Sequence, residues 1–376
     1  MEIVSGIGDG LWNAFQMAWE VAWALVLGFL LSAIVQAWVP RERMQRALGR
    51  ADLRSVTLAT GLGAASSSCS YAAVAIAKSM FQKGASLATA TAFQFASTNL
   101  VFELGIVTWV FLGWHFTVAE LVGGLVLIAL QWGFLRLFVS RRLEEQARRH
   151  AIAAESGHVH GSARGARLTS LDAWTDVARN FRSDWSMLWK EILAGFAISG
   201  FVALLPMSFF NGLFLTDAPS GLRLAENVVV GPLVAILSFV CSVGNIPLAA
   251  VLWAGGISFA GVIAFVFADL LIVPIVLIYG RYYGWRLTGR LVAVMFAAMV
   301  LAALAVDGLF SAAGLVPHVR PDVESITGRG VSWNYTTWLN VVFLPVAAGL
   351  LVLARREAGA AAGCARHGHA AERSAA

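Results

Sequence analysis

Long apolar runs limit what this chain can fold into more than any other feature. Ala18–Trp38, Leu291–Ala305 with its flanks, and Thr337–Ala354 each hold at most one charged residue. About 18 or more residues of this kind span the hydrocarbon core of a bilayer. Only 13% of the 376 residues are charged, about half the ~25% of a soluble domain. The sequence therefore predicts an all-α polytopic membrane protein, because helices satisfy their own backbone hydrogen bonds in lipid. The start, Met-Glu-Ile-Val-Ser-Gly, has no basic region and carries Glu2 and Asp9, so a cleaved signal peptide fits poorly and the first helix is expected to stay. The net charge of +5 would suggest nucleic acid in a soluble chain, but here the basic residues lie between apolar spans and report orientation. Three cysteines, Cys69, Cys241 and Cys364, cannot form a disulfide framework.

Full spans read at about 14–39, 86–112, 115–139, 191–210, 258–280, 290–311 and 336–354, about seven in all. Two further apolar stretches, 55–81 and 228–254, are interrupted at their middles. Gly61, Gly63, Ser66 to Ser68, Cys69 and Ser70 break the first; Cys241, Ser242, Gly244, Asn245 and Pro247 break the second. Such residues mark broken helices or re-entrant hairpins. If both stretches re-enter, every Lys and Arg except Arg223, Arg320 and Arg329 falls on one face. The positive-inside rule then predicts an outside N-terminus, a cytoplasmic C-terminus and a cytoplasmic loop over 140–190. A fully crossing stretch compensated elsewhere is the alternative that hydropathy leaves open.

That loop opens with the charged run Arg141 to His150, followed by a Gly/Ser/His stretch that reads as a flexible linker to about Gly165. Leu171, Trp174, Val177, Phe181, Trp185 and Leu188 then recur at helical spacing, which predicts an interfacial amphipathic helix before the second half. The expected organisation is a first membrane repeat over 1–139, the cytoplasmic linker 140–190, a second repeat with terminal spans over 191–354, and a flexible cytoplasmic tail over 355–376.

A shift of 172 residues superimposes Cys69-Ser70 on Cys241-Ser242, Gly84 on Gly256, Ser86 on Ser258 and Phe93-x-Phe95-Ala96 on Phe265-x-Phe267-Ala268. Residues 69–97 give ten identities in 29 positions. A duplicated unit follows. Under the orientation above, the first broken segment enters from the cytoplasm and the second from outside, so the repeats are inverted. Inverted repeats with discontinuous helices meeting near the midplane are the architecture of secondary transporters.

These motifs carry a resemblance. The Cys-bearing, Ser-rich break at Cys69-Ser70, then Lys83-Gly84-Ala85-Ser86, then Ala92-Phe93-Gln94-Phe95-Ala96-Ser97-Thr98-Asn99 resemble the predicted bacterial permease family that includes the organoarsenical efflux permeases. The second copy, Cys241-Ser242-Val243-Gly244-Asn245-Ile246-Pro247 and Gly255-Gly256-Ile257-Ser258, is similar to that family's second half, and the likeness covers about residues 15–355. The family's first copy usually has Cys-x-Cys-Gly, where this chain has Cys69-Ser70-Tyr71-Ala72. The resemblance implies a permease, with metalloid efflux and arsenic resistance as its role.

Cys69 and Cys241 occupy equivalent places at the two breaks, and a pseudo-two-fold axis would bring them together. Soft sulfur ligands there suit arsenic, mercury or monovalent copper; small buried packing residues are the other reading. Ser68, Ser70 and Ser242, with Ser66 and Ser67, offer hydroxyls that line a polar path or bond the open backbone. Asn99 and Asn245 are amides at the discontinuities, placed for a ligand or for helix capping. Charges at membrane depth read as Glu20, Glu103, Glu120 and Asp269, and such groups are costly in lipid. Asp269 and Glu103 lie just beyond the repeated signature and are the proton-coupling candidates. His150, His158 and His160, and Cys364, His367 and His369 match no closed zinc site, so no resident metal is expected. Gly-x-Gly at 61–63 lacks the strand and Lys-Ser/Thr of a nucleotide loop, which speaks against an ATP-driven pump. No cofactor is expected.

The sequence thus predicts an inner-membrane permease, not an enzyme. It would move a small molecule or metalloid by alternating access, with the lipid bilayer as its surroundings, no nucleic acid, and a homo-oligomer compatible with the sequence. An importer, or a carrier of a non-metal solute, is the alternative of the same class; an intramembrane thiol-redox protein using Cys69 and Cys241 is the alternative of another. Reporter fusions at Gly157 and at the C-terminus are expected to report cytoplasm and one at Val331 the outside. Opposite signals at Gly157 and the C-terminus would remove the inverted arrangement.

Overall fold

A computed structural model describes residues 2–38, 41–66, 69–153, 171–202, 204, 209, 212, 214–215, 219–238, 242–317, 319–320, 333 and 335–374. Among them the chain is helical throughout, with no strand. The helices are α1 (Glu2–Trp38), α2 (Arg41–Leu48), α3 (Leu53–Ser66), α4 (Ser70–Gln82), α5 (Leu87–Asn99), α6 (Phe102–Leu112), α7 (Trp114–Phe138), α8 (Arg141–Ala153), α9 (Leu171–Val202), α10 (Ser220–Ser238), α11 (Ser242–Ala254), α12 (Phe259–Phe267), α13 (Val273–Tyr283), α14 (Trp285–Ala312) and α15 (Tyr335–Ser374). A 3₁₀ turn, Ala268–Leu270, follows α12. Four helices are long and apolar enough to cross a membrane, or up to seven spans if each bent pair counts as one. The chain is a multi-pass membrane protein.

The duplication is written into the elements themselves. α3, α4, α5, α6 and α7 correspond to α10, α11, α12 with its 3₁₀ turn, α13 and α14, and the starts of α4 and α11, Ser70 and Ser242, are 172 residues apart. The turns repeat as well. Gly84 (φ 107°) and Gly256 (φ 106°) take the same left-handed conformation, which a side chain would strain. Ser86 then caps α5 by accepting from the Thr89 amide, and Ser258 caps α12 by accepting from the Gly261 amide, both at 3.2 Å. α4, α5 and α12 are buried along their whole length, so they form the interior that the longer helices enclose. Gly63 of α3 and Gly231 of α10 let α5 and α12 approach backbone to backbone: a Cβ would meet the Phe93 carbonyl oxygen in one case and that of Gly261 in the other, each at 2.5 Å.

Several expectations are corrected. The spans expected to be continuous at 86–112 and 258–280 are each bent, by 45° between α5 and α6 and by 43° where the 3₁₀ turn meets α13. The bends sit at Leu100–Val101 and Leu271–Ile272, the second followed by Pro274 in the first turn of α13. α10 starts at Ser220 and is by itself long and apolar enough to cross, where only part of a re-entrant stretch beginning near 228 was expected. The amphipathic stretch from Leu171 is no separate helix; it is the first part of the 32-residue α9. Asp184 on it is buried against protein: it accepts from Ser32 Oγ and Gln36 Nε2, both at 2.7 Å, and Ser32 meets Ser79 Oγ at 2.9 Å. These bonds tie α9, α1 and α4. The charged run from Arg141 is helix α8, with Leu143, Ala147 and Ala151 buried, and His150 Nε2 lies 3.1 Å from the Arg281 carbonyl oxygen. α15 runs on through the tail to Ser374. The linker with His158 and His160 lies outside the described residues, as do the side chains of Cys364, His367 and His369.

Candidate functional site

The helices α4 and α11 begin face to face. Ser70 Oγ and Ser242 Oγ, the first residues of the two helices and equivalents in the repeat, lie 2.8 Å apart. Both also reach one oxygen of Asp269: Ser70 Oγ donates to Oδ2 at 2.8 Å and Ser242 Oγ at 2.5 Å. Asp269 is fully buried in the 3₁₀ turn after α12. Local sequence explains the arrangement. Pro247, inside α11, removes one backbone donor from its second turn, and the small residues of the two breaks allow helix ends to meet. Each helix start also presents free N–H groups and the positive end of its dipole toward the carboxylate.

The geometry has a proton count. Three oxygens form a closed triangle with three short edges, and the two serine hydroxyls supply two hydrogens. A third hydrogen, on Asp269, completes the ring, so the cluster can take up one proton with every edge bonded. The Thr98 hydroxyl and the Leu270 amide also lie beside this carboxyl.

Polar groups cluster around this junction. Asn245, in the first turn of α11, is fully buried and neither of its amide atoms has a partner among the described residues. An unpaired buried group costs about 1–3 kcal/mol, which a ligand would relieve. Asn99 ends α5; its Nδ2 donates to the Phe95 carbonyl at 3.2 Å and to Thr98 Oγ1 at 2.9 Å, leaving Oδ1 unpartnered. Cys69 stands just before Ser70 at the cap position of α4, half-buried, with no side-chain capping bond. Ser66 Oγ donates to the Gly63 carbonyl, closing the end of α3. Ser67, Ser68 and Cys241 lie outside the described residues, and Glu103 is placed on α6 with its side chain outside them.

Two charged groups join the buried interior that sequence reasoning passed over or left without a role. Lys78, two turns after Ser70 on α4, is fully buried with its Nζ 4.4 Å from the Tyr282 ring centroid. A lysine inside the apolar run 71–81 was legible by the rule that picked out Asp269. Glu120 of α7 is buried and takes the Thr108 hydroxyl at 2.7 Å on one oxygen, the other having no partner among the described residues. No group of three or more His, Cys, Asp or Glu suited to a metal occurs among the described residues.

Comparison with known proteins places this architecture. Residues 13–308 match the model of a family described as predicted permease. The chain belongs to that family, and the permease description supports a membrane transporter. It is 46% identical over 326 residues, 84% of this chain and 80% of the relative, to "Putative permease Rv2963" of Mycobacterium tuberculosis. It is 30% identical over 126 residues, 32% of this chain and 35% of the relative, to UPF0718 protein YraQ of Escherichia coli. No solved structure matches.

The triangle makes a thermodynamic prediction. Ser70→Ala and Ser242→Ala are each expected to lower the thermal midpoint of the detergent-solubilised protein, by the equivalent of about 1 kcal/mol for a lost hydroxyl bond. Because both bond one oxygen of Asp269 and each other, the double substitution is expected to depart from the sum by about 0.5 kcal/mol or more. Strict additivity would contradict a shared ring.

Proposed function

We propose that this chain is an inner-membrane permease that exports a small metalloid compound of organoarsenical type by alternating access, with Asp269 carrying a coupled proton. The observation that carries the reading is the meeting of two repeat-related helix starts on one buried carboxylate. Discontinuous helices whose ends converge give a transporter a polar site without lipid-exposed backbone. The proton count of the triangle supports coupling, because uptake of one proton completes its bonding and loss of that proton opens an edge. Cys69 and Cys241 each precede a serine of the junction in sequence, and sulfur donors beside it suit a soft trivalent centre. Asn99 and Asn245 would hold the polar part of the cargo, and Glu103 is the second coupling candidate. In this reading the repeats are inverted, the N-terminus lies outside, and the C-terminus lies in the cytoplasm.

The unpartnered amide of Asn245 favours, as second reading, a carrier of a polar non-metal solute through the same junction. Uptake into proteoliposomes across arsenite, methylarsenite, metal ions and oxyanions, with and without a proton gradient, separates the two. Asp269→Asn is expected to reduce gradient-driven flux by about tenfold or more while substrate exchange persists. Exchange needs the site and its motion but no net proton movement. Full gradient-driven flux in Asp269→Asn with loss in Glu103→Gln would move the proton to Glu103; full flux in both would remove coupling through these groups.

A further inference from the structure

The repeat also duplicates an arginine. At the end of α4, the Arg148 guanidinium lies 4.2 Å from the Phe81 ring centroid, and its Nη1 donates to the Phe81 carbonyl. At the end of α11, the Arg320 guanidinium lies 4.1 Å from the Trp253 ring centroid, and its Nη1 donates to the Trp253 carbonyl. Phe81 and Trp253, like Arg148 and Arg320, are separated by the repeat length of 172 residues. Each guanidinium caps a helix C-terminus, where a cation suits the open carbonyls and the dipole.

The two caps differ in the anion beside them. In the first repeat, Glu144 Oε1 sits 3.1 Å from Arg148 Nη2 and accepts from the amide of Leu87, the first residue of α5, at 2.9 Å. A carboxylate is thus clasped between a guanidinium and a helix N-terminal amide. In the second repeat, Phe259 opens α12 as Leu87 opens α5, but the residue equivalent to Glu144 is Val316. A cavity of about 340 Å³ occupies the place, lined by Arg320, Phe259, Ser258, Val316, Arg223 and Asp307 among others. Arg223 stands close enough to Arg320 for their charges to repel, and its Nε is buried without a partner among the described residues. Asp307 of α14 is turned to the Ala260 amide, and no ion pair joins it to either arginine among the described residues. Glu226, one turn on from Arg223, is committed to the Leu215 amide and Asn227 Nδ2. Two guanidiniums therefore face one carboxylate.

We infer that this cavity binds a small carboxylate or oxyanion, held by Arg320, Arg223 and the Phe259 amide in the place that Glu144 fills in the first repeat. Its volume is at the small end of ligand sites, which are about 300–1,000 Å³. The anion is either a dissolved solute or the headgroup of an anionic phospholipid. Binding here is independent of transport through the Ser70–Ser242 junction.

The test is the thermal midpoint of the full chain. It is measured in neutral detergent with sodium acetate or phosphate against chloride at equal ionic strength, and in phosphatidylcholine nanodiscs with and without phosphatidylglycerol. A rise of about 2 °C or more is expected for the parent. A response to acetate or phosphate assigns a dissolved anion, and a response to phosphatidylglycerol alone assigns a headgroup. Val316→Glu, which supplies the first repeat's carboxylate, is expected to raise the midpoint without added anion and to abolish the response. The response is likewise expected to be lost in Arg320→Gln; if that variant does not fold, Val316→Glu alone carries the test. No response in the parent to any of the three anions, or an undiminished response in Val316→Glu, would overturn the site.

Discussion

The contact between Ser70 and Ser242 at Asp269 is the constraint on which the rest of the architecture depends. A carboxylate inside a membrane protein is tolerated only where the protein supplies the hydrogen bonds that lipid cannot. Here the supply comes from both copies of a duplicated unit at once, so neither repeat satisfies Asp269 alone. The small residues of the breaks and the glycines that admit α5 and α12 at backbone distance serve the same end. They let two helix starts, each with unpaired N–H groups, reach the interior without exposing those groups to lipid.

The duplication supplies the scaffold, and departures from it supply the chemistry. Asp269 stands where the first repeat has Ser97, Lys78 where the second has Ala250, and Glu144 where the second has Val316. Each departure puts a charge in one repeat and a neutral residue in the other. An exact pair of copies would place two carboxylates or two ammonium groups near one axis, where like charges in a low-dielectric interior repel strongly. The asymmetry thus lets a symmetric framework hold Asp269 and a buried cation, Lys78 against Tyr282, each without a copy.

Much of this was legible in the sequence. The repeat was readable from Cys69-Ser70 and Cys241-Ser242 because the turn between helices demands particular residues: Gly84 and Gly256 at positive φ, Ser86 and Ser258 as caps. Asp269 was readable because charge at membrane depth is rare. The bend at Leu100–Val101 was not, since leucine and valine carry no local signal for a break; the one at Leu271–Ile272 is marked by Pro274 at the start of α13, which the apolar run hid. The polar stripe on α9 was read as facing an interface because sequence cannot tell a water-facing Asp184 from one bonded to Ser32 and Gln36. Arg148 and Arg320 escaped notice because the identities on which the repeat was recognised end before them.

The central claim is that the two repeats touch at Ser70 and Ser242. It is tested most directly by replacing both serines with cysteine in a chain whose own Cys69 and Cys241 are serine, then oxidising the full-length protein in membranes. The account predicts a Ser70→Cys/Ser242→Cys disulfide, since hydroxyls 2.8 Å apart place Cβ atoms within reach of an S–S bond. Failure to crosslink would contradict it.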